Sequence, residues 1–90
     1  DLVFDGERRV VHVDRYGNLI TNIRATEHGG EQLLCAGQPV PMHRTYGDVP
    51  AGQLLAYPGS FGLLEIAVAN GNAAEQTGMQ RGSTIGLSKA

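Results

Sequence analysis

The sequence predicts an all-β domain, a small antiparallel β-barrel with one short helix. Three observations carry that prediction. Short stretches of aliphatic and β-branched residues recur at close spacing, each bounded by Gly, Pro, Asn or Asp. Thirteen of the 90 residues are glycine, roughly twice the average share, which fits many turns. No stretch has the length and helical periodicity of the crossover helices that a parallel sheet requires.

The elements follow in order. Residues 1–7 carry Leu2, Val3 and Phe4 ahead of the turn signal Asp5-Gly6, and read as a short entry strand or linker. Residues 8–13 form the first clear strand and residues 19–24 the second, where Leu19, Thr21 and Ile23 alternate with Ile20, Asn22 and Arg24. The junction Tyr16-Gly17-Asn18 makes a tight turn, because Gly17 and Asn18 both tolerate positive φ. It brings Asp14, Tyr16 and Asn18 to one rim of a sheet. Residues 25–31 form a loop, 32–36 a third strand, and Gly37-Gln38-Pro39 a turn. Residues 40–42, set between Pro39 and Pro41, belong at a sheet edge where missing N–H groups do no harm, with 43–46 continuing them. Residues 47–52 are a loop, and strands are expected over 53–57 and 63–69. Pro58-Gly59-Ser60-Phe61-Gly62 between these strands is a second tight junction, expected to face the first. Residues 73–77 make one or two helical turns, capped by Asn72 and stopped by Gly78, before a last strand at 84–88.

Bulk properties narrow the function. Ninety residues make a single domain, 1–90. A net charge of −2 with scattered Lys and Arg argues against a nucleic acid partner. The lone Cys35, in the apolar run Leu33-Leu34-Cys35-Ala36, is expected to be a buried inert thiol, consistent with a reducing, cytoplasmic setting. No apolar run has the length to span a bilayer, so no membrane partner is expected. The first residue is Asp, and the chain is expected to have lost an upstream part. His12, His28 and His43 are widely spaced and show no metal-ligand pattern with the single Cys. Ser60 stands in Gly-Ser-Phe-Gly, which is not a nucleophile elbow, so neither a catalytic residue nor a metal site is assigned. Glu65, interrupting an apolar strand, is expected to hold a structural partner such as a backbone N–H or an Arg.

Two runs carry chemistry. Val11-His12-Val13-Asp14-Arg15-Tyr16-Gly17-Asn18-Leu19-Ile20-Thr21-Asn22-Ile23 and Gly59-Ser60-Phe61-Gly62-Leu63-Leu64-Glu65-Ile66-Ala67-Val68-Ala69-Asn70-Gly71-Asn72-Ala73-Ala74 resemble two signatures of one domain. It is the C-terminal domain of the S-adenosyl-L-methionine hydroxide adenosyltransferases, adenosine-forming hydrolases related to the fluorinase and chlorinase enzymes. The resemblance implies a β-barrel that binds S-adenosyl-L-methionine as substrate, without a further cofactor. The active site would lie against the N-terminal domain of a neighbouring subunit in a trimer. It further implies that Tyr16 stacks on adenine, Asn18 reads an adenine edge, and Asp14 meets the methionine ammonium. Ser60 would bond the methionine carboxylate, and Val68 and Asn70 would line the adenine through their backbone. Ala69 stands where the signature has an Asn, and Phe61 lacks the positive charge that fluorinases carry beside the Ser. The residues that activate the nucleophile belong, in that family, to the N-terminal domain. An alternative from another class is a PDZ-like module that binds a peptide C-terminus. It rests on Gly62-Leu63-Leu64-Glu65-Ile66 followed by Ala73-Ala74-Glu75-Gln76-Thr77-Gly78-Met79-Gln80-Arg81-Gly82-Ser83-Thr84-Ile85.

Overall fold

The computed structural model describes residues 7–27, 30–43 and 49–88. They form β1 (Val10–Val13), β2 (Leu19–Arg24), β3 (Gln32–Cys35), β4 (Gln38–Val40), β5 (Leu54–Pro58), β6 (Leu63–Val68), the helix α1 (Ala73–Thr77) and β7 (Gly86–Ser88). Short 3-10 turns occupy Ala25–Glu27 and Ser60–Gly62. The entry strand expected near Phe4 and the continuation at 44–46 lie outside the described residues.

The strands pair into two sheets, one of four strands in the order β1-β2-β6-β5 and one of three in the order β4-β3-β7. All the strand pairs in them are antiparallel. The expectation of mainly antiparallel β structure with one short helix therefore holds, whereas pairing among the described residues does not close into a continuous barrel. Among those residues the sheets meet through isolated bridges, Met42 to Ala56 in parallel and Arg9 to Thr84 antiparallel. Pro39 and Pro41 supply no N–H, so the segment around them cannot run a full ladder from one sheet to the other. The edge position expected for this segment is observed, but shifted two residues earlier, with Pro39 opposite Leu34. The shift arises because Ala36 and Gly37, at φ 52 and 80, complete a two-residue hairpin turn and pairing resumes at once with Gln38.

Alternation sets the core. In β2, Leu19, Thr21 and Ile23 are buried while Arg24 is exposed, and Leu64, Ile66 and Val68 of β6 meet them from the neighbouring strand. Thr21 is the one polar residue of β2 on that buried face. The register between β2 and β6 slips between Ile20 and Arg24, and the Thr21 hydroxyl fills the break. It donates to the Leu64 carbonyl at 2.7 Å and accepts the Ile23 N–H at 3.1 Å. Asn22, next in the motif, is also structural: its Oδ1 accepts the Arg9 N–H at 2.8 Å and its Nδ2 donates to the Glu7 carbonyl at 3.0 Å. Both groups satisfy backbone that a broken ladder leaves unpaired.

The sheet order overturns one expectation, that the two tight junctions face each other. The first junction leads into the start of β2 and the second into the start of β6. Because β2 and β6 run antiparallel, with Leu19 opposite Ile66 and Arg24 opposite Leu63, the two starts lie at opposite ends of the sheet.

Candidate functional site

The first wall of the site is a loop closed on Asp14. One carboxylate oxygen of Asp14 accepts the N–H groups of Tyr16, at 2.9 Å, and Asn18, at 3.0 Å. The Gly17 N–H donates to the Asp14 carbonyl at 3.0 Å, and the Asp14 N–H to the Asn18 carbonyl at 3.1 Å. Gly17 sits at φ +82, and a Cβ there would lie 2.0 Å from Asn72 Oδ1, so this position requires glycine on both grounds. Of the pair expected to use positive φ, only Gly17 does so. The loop turns Asn18 inward, 9% exposed, and leaves Tyr16 outward, 62% exposed. The Arg15 guanidinium carbon stands 5.1 Å from the Tyr16 ring centroid, and Arg15 Nη2 donates to the phenol oxygen at 3.0 Å.

The floor is the turn that leaves β6. The Val68 carbonyl accepts the Gly71 N–H at 3.0 Å, and Asn70 adopts φ 55, a left-handed conformation that Asn tolerates better than most residues. Asn72 then caps α1, its Oδ1 accepting the Glu75 N–H at 2.9 Å, and Gly78 ends the helix at φ 74. A second wall is Val49, which also lines the cleft. Its loop is tied to the floor by the Gly52 N–H donating to the Ala69 carbonyl at 2.8 Å and the Ala69 N–H donating to the Gln53 carbonyl at 3.1 Å.

These three pieces enclose an open cleft of about 700 Å³ lined by Tyr16, Asn18, Val49, Val68, Ala69, Asn70 and Gly71. An aromatic ring, two amides, three aliphatic residues and an irregular backbone suit a flat ligand that is apolar on its faces and polar at its edges. Among the described residues, the lining holds no carboxylate, imidazole, amine or thiol.

Four of the seven residues assigned from sequence, Tyr16, Asn18, Val68 and Asn70, therefore meet in one cleft although they come from both motifs. Asp14, half-buried, is not among the lining residues, and one of its carboxylate oxygens is taken up by the turn. Ser60 and Phe61 are at the other end of the four-stranded sheet, separated from Val68 by the length of β6, about 20 Å at strand rise. There the Glu65 carboxylate accepts the Ser60 N–H at 3.1 Å and the Tyr57 hydroxyl at 3.0 Å, the structural part expected of it. Phe61 is 97% exposed at φ 63. Val49 and Gly71 were missed as lining residues. Gly71 lies inside the second motif and was readable, whereas Val49 sits in Gly- and Pro-rich punctuation that carries no signal. Cys35 is fully buried and burial pushes its thiol up to about 11, which keeps it protonated and unreactive at neutral pH.

The fold and site define a small two-sheet antiparallel domain that presents an aromatic and amide-lined cleft beside a short capped helix. Residues 8–86 match the family described as SAM hydroxide adenosyltransferase C-terminal domain, and the chain belongs to that family. Over 81 residues it is 43% identical to the (R)-S-adenosyl-L-methionine hydrolase of Thermus thermophilus, an alignment that covers 90% of this chain and 31% of the relative. A crystal structure of a conserved hypothetical protein, also from Thermus thermophilus, superposes with a TM-score of 0.78 at 44% identity, covering 90% of this chain and 34% of that one. An uncharacterized conserved protein from Thermotoga maritima superposes with a TM-score of 0.74 at 28% identity, covering 91% and 35%. The chain thus spans about a third of the length of these relatives. A family match that runs through both motifs displaces the PDZ-like alternative, which left the first motif unexplained.

Proposed function

We propose that the cleft holds the adenosine part of S-adenosyl-L-methionine and that this chain supplies one half of a hydrolase site. The other half would come from the remaining two thirds of polypeptide that its relatives possess. The observation that carries this reading is the meeting of Tyr16 and Asn18 from one motif with Val68 and Asn70 from the other around a single cleft. The Tyr16 ring stacks on the base, and Asn18 offers a donor and an acceptor side by side, the pairing an adenine edge requires. Val68 and Asn70 contribute backbone polar groups and an aliphatic wall. Asp14 shapes the loop that presents Tyr16 and Asn18, and any contact of its second oxygen with the methionine ammonium is additional.

The reaction of the complete enzyme is attack of a water oxygen on the ribose 5′ carbon. The carbon–sulfur bond breaks, its electron pair returns to sulfur as neutral methionine, and the water proton passes to solvent or a base. The name of the Thermus relative points to the R sulfonium epimer as substrate. Ser60 and Phe61 take no part in holding the base. Their assignment to the amino-acid end requires the ligand to extend from the cleft along β6. The working assembly is a trimer in which the N-terminal domain of a neighbour closes the cleft, and sedimentation of the whole enzyme tests that.

Titration of the isotopically labelled chain with adenosine, followed by NMR, tests the reading. Saturable amide shifts are expected at Tyr16, Asn18, Asn70 and Gly71, with Ser60 and Phe61 unmoved. An absence of saturable shifts with both adenosine and S-adenosyl-L-methionine would refute a preformed half-site.

A further inference from the structure

The cleft walls share no strand, yet both are fastened to the same five-residue helix. On the Tyr16 side, the Ala74 N–H donates to the Gly17 carbonyl at 2.9 Å, and Asn72 fills the space a Gly17 side chain would need. On the Val49 side, the Gln76 side chain reaches 24 residues back along the sequence, its Nε2 donating to the Gly52 carbonyl at 3.0 Å. Gln76 is exposed and belongs to neither motif nor cleft lining, so core packing does not explain it. A helix this short has little stability of its own. The fold gains from it the burial of Ala73 in the core and the hydrogen bonds to the two loops.

We propose that α1 is a bracket that sets the separation of the two walls, with Gln76 as the positioning residue for the Val49 wall. This deepens the nucleoside reading and rests on it. A flat ring gripped between a tyrosine face and an aliphatic side chain loses contact steeply when the gap widens by even half an ångström, because dispersion falls off quickly with distance. Holding the gap before the ligand arrives removes the ordering cost from binding. The chemistry of the tie is specific. A carbonyl only accepts, so the side chain opposite Gly52 must donate, and an isosteric carboxylate cannot.

Three variants test this on the 90-residue chain. Gln76→Glu and Gln76→Ala are expected to weaken adenosine binding about fivefold, the share of one net hydrogen bond, and to lower the melting temperature by about 4–8 °C, since the same bond belongs to the ligand-free fold. Gln76→Lys, which restores a donor of similar reach, is expected to recover affinity. Hydrogen exchange at the Gly52 N–H and the Val49 methyl shifts, read without ligand, should show a loosened loop in Glu and Ala but not in Lys. Unchanged affinity in all three variants, or loss in Lys as severe as in Glu, overturns the positioning role. If the parent chain binds no adenosine, the nucleoside reading fails. The ligand-free exchange and methyl shifts then decide the bracket separately, and unchanged values in Gln76→Glu overturn it.

Discussion

Gly17 is where the two motifs touch, and its substitution separates two physical effects. At φ +82 any side chain costs about 1 kcal/mol or more, and at this position it also displaces the Asn72 side chain 2.0 Å away, removing a cap worth about 1 kcal/mol. Gly17→Ala is therefore expected to lose about 2–3 kcal/mol in urea unfolding and to abolish the adenosine shifts. Gly37 gives the control, since it has similar φ at +80 but nothing within 4 Å of an added Cβ. Gly37→Ala should show the conformational cost alone and leave the cleft intact, and equal losses at the two sites would refute the clash argument. The opposite change is available next door. Ala36 holds φ 52 in the first position of the two-residue turn between β3 and β4, a position that favours Asn. Ala36→Asn should raise the urea midpoint, adding about 0.5–1 kcal/mol by the same conformational account.

Among elements, β3 offers a pH test, because it places the free thiol in the core. The Cys35 thiol titrates from a reference of 9.0 when unfolded and is pushed up to about 11 by burial in the fold. Below pH 9 both states keep the proton and stability is unaffected. Between 9 and 11 the unfolded chain releases it while the folded chain does not, so stability falls with rising pH by up to about 1.4 kcal/mol per unit. Cys35→Ala leaves a cavity and lowers stability at every pH, yet its decline above pH 9 should be shallower than that of the parent. Parallel curves would show that burial of the thiol is not felt. The same elements show what was legible beforehand. The second strand and the helix were readable to the residue, at Leu19–Arg24 and Ala73–Thr77, since alternation, the Asn72 cap and the Gly78 stop are local signals. The β4 offset escaped because Ala36 in a left-handed conformation runs against its own preference. The facing of the two junctions escaped because it depends on β2 choosing β6, some 40 residues away, and nothing local encodes that choice.

At the scale of the whole molecule, binding and catalysis are expected to come apart. The candidate site was half legible: the two motifs named four of the cleft residues, and the second wall at Val49 became visible only once the chain had folded back on Ala69. Among the described residues that cleft stands open to solvent, with Tyr16 62% exposed. Among the described residues its lining supplies no carboxylate or imidazole to take a proton from water. A nucleophile at the ribose 5′ carbon would arrive from bulk solvent, unoriented, and the proximity that makes such displacements fast would be missing. The 90-residue chain is therefore expected to bind adenosine but to release no adenosine from S-adenosyl-L-methionine above the buffer rate, as read by chromatography over a day. Comparing the two ligands locates the boundary of the half-site. If the chain grips only the nucleoside, both should bind with the same affinity. If the ligand also reaches along β6 to Ser60, S-adenosyl-L-methionine should bind more tightly and a Ser60→Ala change should remove the difference. Turnover by the chain alone would break this argument at its root, because a proton acceptor would then have to exist where the lining, among the described residues, offers none.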